Sequence, residues 1–126
     1  MSQILDASAL LAFLHGESGA RVVEEALDGA LISAVNWAEV VQKSLERQAD
    51  ISWMREGFSK VGVVFEPFTP VQAEIAAHLW SRARHHGLSL ADRACIALAM
   101  DRQLPILTAD RVWGELALPV EIRLVG

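Results

Sequence analysis

The chain has 126 residues, 52% of them hydrophobic, and a formal net charge of −5 at pH 7. That length and apolar content suffice for one sizeable core in a single domain over residues 1–126, and the acidic balance argues against a protein that grips nucleic acid by overall electrostatic attraction. Charged residues or histidine interrupt every apolar run before membrane-spanning length, and no basic segment precedes an apolar one at the amino terminus, so we expect a soluble, cytoplasmic protein without membrane contact.

Gln3 to Leu5 is a short apolar strand candidate that ends at Asp6, and Ser8 to Leu14 follows with closely spaced apolar residues and good helix formers. Val22, Val23, Ala26 and Leu27 share a helical stripe, closed by Asp28-Gly29 as a carboxyl-terminal stop. Ala30 to Ser33 is a second strand. Asn36 then opens a helix carrying Trp37, Val40, Val41 and Leu45 on one face, with Glu39 three residues after Asn36, the spacing of a capping box. After a polar break at Ala49 to Ser52, Trp53 to Val61 reads as a further helix, which Gly57 weakens. Val63 to Phe65 is a third strand, and Thr69-Pro70 opens a long helix that continues to Gly87.

Ser89 and Asp92 repeat the capping-box spacing at the start of an apolar helix that Pro105 ends near Gln103, and Ile106 to Thr108 suits a buried strand followed by Asp110. The lone Cys95 sits among Ala94, Ile96 and Leu98 and reads as a small core residue. Asp110 to Leu116 suits a last short helix, and Val120 to Val125 a final edge strand. Strands and helices alternate throughout, which predicts a three-layer α/β/α fold with a mainly parallel central sheet.

In such sheets ligands collect outside the carboxyl ends of the strands, where strand-to-helix loops converge. Asp6, Glu39 and Asp110 each follow a predicted strand, and Asp92 begins a helix that runs back toward the strand before Asp110. Taken singly, each acid suits a helix cap or turn, worth about 1 kcal/mol, and Glu39 also has Lys43 at four-residue spacing. Together they need more: unit charges about 5 Å apart repel by roughly 3 kcal/mol per pair at an effective dielectric near 20. A divalent cation offsets that. Oxygen-only donors suit hard Mg²⁺ or Mn²⁺, one or two of which would activate water and stabilise the leaving oxygen in phosphodiester hydrolysis. Without these four carboxylates the formal charge would be −1, a nearly neutral remainder.

Four segments carry a resemblance: Ile4-Leu-Asp6-Ala-Ser8, Ile32-Ser-Ala-Val-Asn36-Trp-Ala-Glu39-Val, Leu88-Ser-Leu-Ala-Asp92-Arg-Ala-Cys-Ile-Ala-Leu-Ala and Leu107-Thr108-Ala-Asp110-Arg-Val-Trp113. In order and spacing they resemble the PIN-domain ribonucleases, particularly the VapC toxins of bacterial toxin–antitoxin modules, over essentially the whole chain. The resemblance implies a Mg²⁺- or Mn²⁺-dependent endoribonuclease toxin acting on RNA, a cognate antitoxin that blocks it, and a homodimer. It implies Asp6, Glu39, Asp92 and Asp110 as metal-binding and catalytic acids, with Ser8 and Thr108 supporting them by hydrogen bonds. Within that set, Asp6 and Asp92 are expected to hold the main cation and Glu39 and Asp110 to complete its shell. Trp113 stands where the family often has phenylalanine.

Two other classes fit parts of the pattern. A receiver-like or dehalogenase-like phosphotransfer domain also places aspartates at strand ends, but it usually has a second aspartate near Asp6, where Ser8 stands, and a well-placed lysine, which neither Lys43 nor Lys60 is expected to be. A non-catalytic binding module would use the acids as caps alone. Arg82, Arg84, His85 and His86 cluster late in one predicted helix, and Arg93 and Arg111 flank the acids; such charges are more often a solvated face than a phosphate contact. The four histidines read as surface or packing residues. Trp37, Trp53, Met54, Phe58 and Trp80 read as core, with room for an exposed aromatic patch that would take an antitoxin segment or a second subunit.

Overall fold

The computed structural model describes residues 2–126. Five short strands, β1 (Ile4–Leu5), β2 (Leu31–Ser33), β3 (Val64–Glu66), β4 (Ile106–Thr108) and β5 (Ile122–Leu124), form one sheet in the order β3-β2-β1-β4-β5. Every pairing is parallel, including that of the carboxyl-terminal edge strand. The order differs from the 2-1-3-4-5 arrangement of receiver-type domains.

The three inner strands β1, β2 and β4 are short and buried toward both faces, as expected where helices cover both sides of a parallel sheet. Side-chain parity divides the interior. Ile4, Leu31 and Ile106 point into a cluster with Leu79, Cys95, Ile96, Leu98 and Trp113, whereas Leu5, Ile32 and Leu107 point into one with Leu10, Val23, Val40, Met54 and Phe58. The first layer is covered by α5 (Pro70–His78) and α7 (Leu90–Arg102), the second by α1 (Ala7–Leu14), α2 (Ala20–Ala26), α3 (Ala34–Glu46) and α4 (Met54–Lys60). Full burial of each large aliphatic side chain contributes about 1.5–3 kcal/mol. The three-layer prediction holds.

Local details differ from the expectation at three places. The helix that was to begin at Asn36 starts at Ala34, with Ser33 as its cap accepting from Val35 N at 3.2 Å. The last residue of β2 caps α3 directly, so no loop residue is left for Asn36 to occupy. The predicted long helix to Gly87 is interrupted at Leu79, after which a single turn, α6 (Trp80–Ala83), precedes an irregular stretch to Ser89. The segment after Asp110 is a 3₁₀ helix, Arg111–Glu115, not an α-helix. No helix among the described residues is long and apolar enough to cross a membrane.

Candidate active site

Three of the four acids stand at helix starts. Asp6 caps α1, with Oδ1 accepting from Ala9 N at 2.9 Å. Asp110 caps the 3₁₀ helix, with Oδ1 accepting from Val112 N at 3.0 Å. Asp92 completes the capping box of α7: Asp92 N donates to Ser89 Oγ and Ser89 N donates to Asp92 Oδ2. Glu39 is in the second turn of α3, where its Oε1 accepts from Asn36 Nδ2 at 3.1 Å. The same Asn36 amide donates to the Ala91 carbonyl at 3.0 Å, so this buried side chain ties α3 to the first turn of α7. Asn36 thus links the elements that carry Glu39 and Asp92, and does not cap a helix.

Asp6 is the centre of a network that spans the sheet. Because Leu5 pairs in register with Leu107, the residues after β1 and at the end of β4 are brought side by side. Thr108 Oγ1 donates to Asp6 Oδ2 at 2.6 Å, and Ser8 Oγ lies 2.8 and 2.9 Å from the two carboxylate oxygens. Each hydroxyl is oriented by a main-chain amide that donates to it: Asp110 N to Thr108 Oγ1 at 3.1 Å and Ala109 N to Ser8 Oγ at 3.0 Å. Both hydroxyl protons are therefore directed at Asp6. Despite these donors, burial pushes the Asp6 carboxyl up from 3.8 to about 6, with a small upward push from the Asp92 charge. Burial also raises Glu39, again with a contribution from Asp92, against the lowering effects of Asn36 and Lys43.

These residues enclose a cleft of about 170 Å³ lined by Asp6, Ser8, Glu39, Lys43, Asp92 and Asp110. It opens beyond the carboxyl ends of β1 and β4, the sheet edge at which ligands gather in parallel α/β folds. All four acids share one pocket, with two supporting hydroxyls behind one of them. Residues 4–118 match the PIN domain family.

The chain belongs to the PIN-domain family. Its fold is shared with solved structures across the length of both partners. VapC20 of Mycobacterium tuberculosis, described as a sarcin-ricin loop cleaving toxin, superposes with a TM-score of 0.75 at 17% identity, covering 98% of this chain and 99% of that one. A DNA-bound VapBC from Salmonella typhimurium gives 0.70 at 15% identity, with 98% of each chain covered. FitAcB from Neisseria gonorrhoeae gives 0.62 at 24% identity, covering 97% and 96%. No curated protein sequence matches the chain.

The donor set of this PIN domain is suited to a hard divalent cation, being carboxylate oxygen alone. Yet among the described residues no three His, Cys, Asp or Glu side chains are gathered tightly enough for a preformed metal site. Each acid is instead held by its own local donors: Asp6 by Ala9 N, Glu39 by Asn36, Asp92 by Ser89 N and Asp110 by Val112 N. Asp92 Oδ1, Asp110 Oδ2 and Glu39 Oε2 have no protein hydrogen-bond partner among the described residues, leaving one free oxygen on each. With four carboxylates lining one cleft and an unbonded oxygen on three of them, the donor chemistry fits such an ion.

Lys43 is the residue the sequence reading undervalued. Its spacing from Glu39 was visible, but only the packing of α3 against α1 places it in the acid cleft. Arg93 has the opposite fate: its Nη1 donates to the Ala76 carbonyl at 3.0 Å, bracing α5 against α7 and removing it from phosphate contact. Cys95 is fully buried, and burial raises its thiol well above the ordinary range, as suits an inert core residue. Phe58 and Met54 are core as expected, but Trp53 and Trp80 are 51% and 56% exposed. Trp113 is buried in the layer beneath α7, consistent with a packing role.

One substitution isolates the supporting shell. Thr108→Val keeps the shape of a fully buried side chain but removes the proton aimed at Asp6 and the acceptor for Asp110 N. The expected loss of stability at neutral pH is about 1.5–3 kcal/mol, the usual range for a hydrogen bond to a charged group. Denaturant unfolding should show it, and an NMR titration should show the Asp6 carboxyl raised further.

Proposed function

We infer that this PIN domain, acting as one unit over residues 1–126, is a metal-dependent endoribonuclease of the VapC toxin type, hydrolysing RNA phosphodiester bonds and held in check by a cognate antitoxin. The observation that carries this reading is the convergence of Asp6, Glu39, Asp92 and Asp110 on one cleft at the carboxyl edge of the sheet. Structural neighbours described as a toxin–antitoxin complex from Klebsiella pneumoniae and as VapBC assemblies support the antitoxin partner. The family resemblance is the ground for a homodimer.

Asp6 and Asp92 would hold Mg²⁺ or Mn²⁺, with Glu39 and Asp110 completing the oxygen set. When bound, such an ion supplies charge for the phosphodiester's transition state and lowers the pKa of water for attack on phosphorus. The chain's own contribution is placement. Ser8 and Thr108 hold the Asp6 carboxylate in one orientation, Asn36 fixes Glu39 relative to the start of α7, and the cap interactions fix Asp92 and Asp110. Lys43 brings the cleft's positive side chain to the anionic phosphate oxygens.

Cation binding is testable without an RNA substrate. Ligand that binds only the folded state stabilises it by RT ln(1 + [L]/Kd), about 2.7 kcal/mol at a hundredfold excess over Kd. Millimolar Mn²⁺ should raise Tm in thermal melts at neutral pH, and Asp6→Asn with Asp92→Asn together should abolish the rise. An undiminished rise in that double variant would place the ion elsewhere.

A further inference from the structure

The basic cluster at residues 82–86 has no part in the acid cleft, and its position gives it a use. Between Glu74 and Asp92 the sequence runs 17 residues with two arginines, three histidines and no acid, in a chain whose net charge is −5. The fold carries this stretch to the active edge. Gln72 Nε2 donates to Asp101 near the end of α7, while Ala76 receives Arg93 near its start, so α5 runs antiparallel to α7 and delivers residues 80–88 to the end of α7 where Asp92 stands.

There the chain forms a second pocket, of about 400 Å³, between the segment leading into Asp92 and the segment following Asp110. Its lining combines polar and basic side chains, Arg82, His85 and His86, with the apolar Leu88, Leu116 and Leu118. Neither Arg82 nor the two histidines has an acid partner among the described residues, where the ion pairs are Lys60–Glu56, Arg102–Glu66 and Arg123–Glu121. Arg84 is engaged beside it, 4.9 Å over the ring of the exposed Trp80.

A lining that combines an unpaired arginine and ring N–H groups with leucines suits a ligand that has an anionic group and a flat, weakly polar body. A nucleotide of a single strand has both, and single-strand binding commonly pairs cations on phosphate with apolar or aromatic contacts on the base. We propose that this pocket is a subsite for an unpaired nucleotide of the RNA strand flanking the scissile bond, with Arg82, His85 and His86 on its phosphate and the leucines against its base. The proposal rests on the ribonuclease reading above and adds to it a site outside the acid cleft. It also gives an acidic protein a local hold on a polyanion, in addition to Lys43 in the acid cleft.

The test separates the subsite from the parent reading. Arg82→Ala and a His85→Ala/His86→Ala double variant alter exposed side chains, so melts should match the wild type. Binding of a random pool of fluorescent single-stranded RNA to the full chain in EDTA should weaken about tenfold or more in either variant, and in Arg82→Ala the slope of log affinity against log salt should fall by roughly 1 for the charge removed. With Mn²⁺ added, KM should rise with kcat nearly unchanged, while the Mn²⁺-induced rise in Tm stays at the wild-type value. RNA affinity and KM within twofold of wild type, in variants of an enzyme that does cleave RNA, would overturn the subsite alone. A change confined to oligomeric mass, read by light scattering, would also overturn it, assigning the patch to a protein interface. A wild-type chain that neither binds nor cleaves RNA would overturn both readings.

Discussion

Asp6→Asn is expected to abolish metal-dependent RNA cleavage and, in the same protein, to raise the stability of the metal-free chain. The two effects have one cause. Asp6 is 4% exposed, and burial raises its carboxyl from 3.8 to about 6. At neutral pH the fold therefore carries an ionised group that costs about 3 kcal/mol relative to the unfolded chain, the equivalent of roughly two pKa units. Asparagine removes the charge while its carbonyl oxygen still accepts from Ala9 N, and the Ser8 and Thr108 hydroxyls can rotate toward the new amide. A gain of about 1–3 kcal/mol is expected once the imperfect replacement of those hydrogen bonds is allowed for. Denaturant melts in EDTA measure the gain, and an RNA cleavage assay in Mn²⁺ measures the loss. An asparagine variant that is destabilised would mean that the carboxylate serves the fold, as a cap alone would.

Acid should weaken cation binding from a higher pH than an ordinary surface aspartate would allow. The folded pKa of Asp6 lies above its unfolded value, so the metal-free folded state binds more protons than the unfolded state between pH 4 and 6. The contribution of this group to stability accordingly falls as pH rises through that window, from no cost below about pH 3.8 to its full cost above about 6. Glu39 is raised as well and acts in the same direction. A divalent ion needs Asp6 ionised, so its apparent affinity should be level above about pH 6 and fall by about tenfold for each pH unit below it. Mn²⁺ titrations followed by calorimetry at pH 5, 6 and 7 check the slope. Constant affinity across that range would show that Asp6 is not a ligand.

The sequence carried the local parts of this site well and the long-range parts poorly. Asp6, Asp92 and Asp110 could be placed at helix starts because capping depends on residues within one turn. Strand and helix alternation gave the layer architecture, and the four acids could be assigned to one sheet edge from that alone. The Thr108 bond to Asp6 depends on β1 lying beside β4 in the register that pairs Leu5 with Leu107, an arrangement between residues 102 positions apart. No local pattern reports it; the resemblance to PIN domains did. Asn36 was misplaced because Ser33 ends the strand and caps the helix at once, so two cap candidates compete three residues apart. The interruption at Leu79 has neither glycine nor proline to announce it, and it is this break that forms the turn leading into the basic pocket.

The central claim is that the capping acids also do chemistry, and Asp92→Asn tests it most directly. Asparagine can still accept from Ser89 N through its carbonyl, so the capping box of α7 and the fold should survive with a stability change below about 1 kcal/mol. The measurement is cleavage of a labelled RNA pool by wild type and variant, side by side in Mn²⁺ and in EDTA. The account predicts cutting only by the wild type in Mn²⁺, with melts confirming that the variant is folded. Cleavage by folded Asp92→Asn at the wild-type rate would contradict it and leave Asp92 as a helix cap.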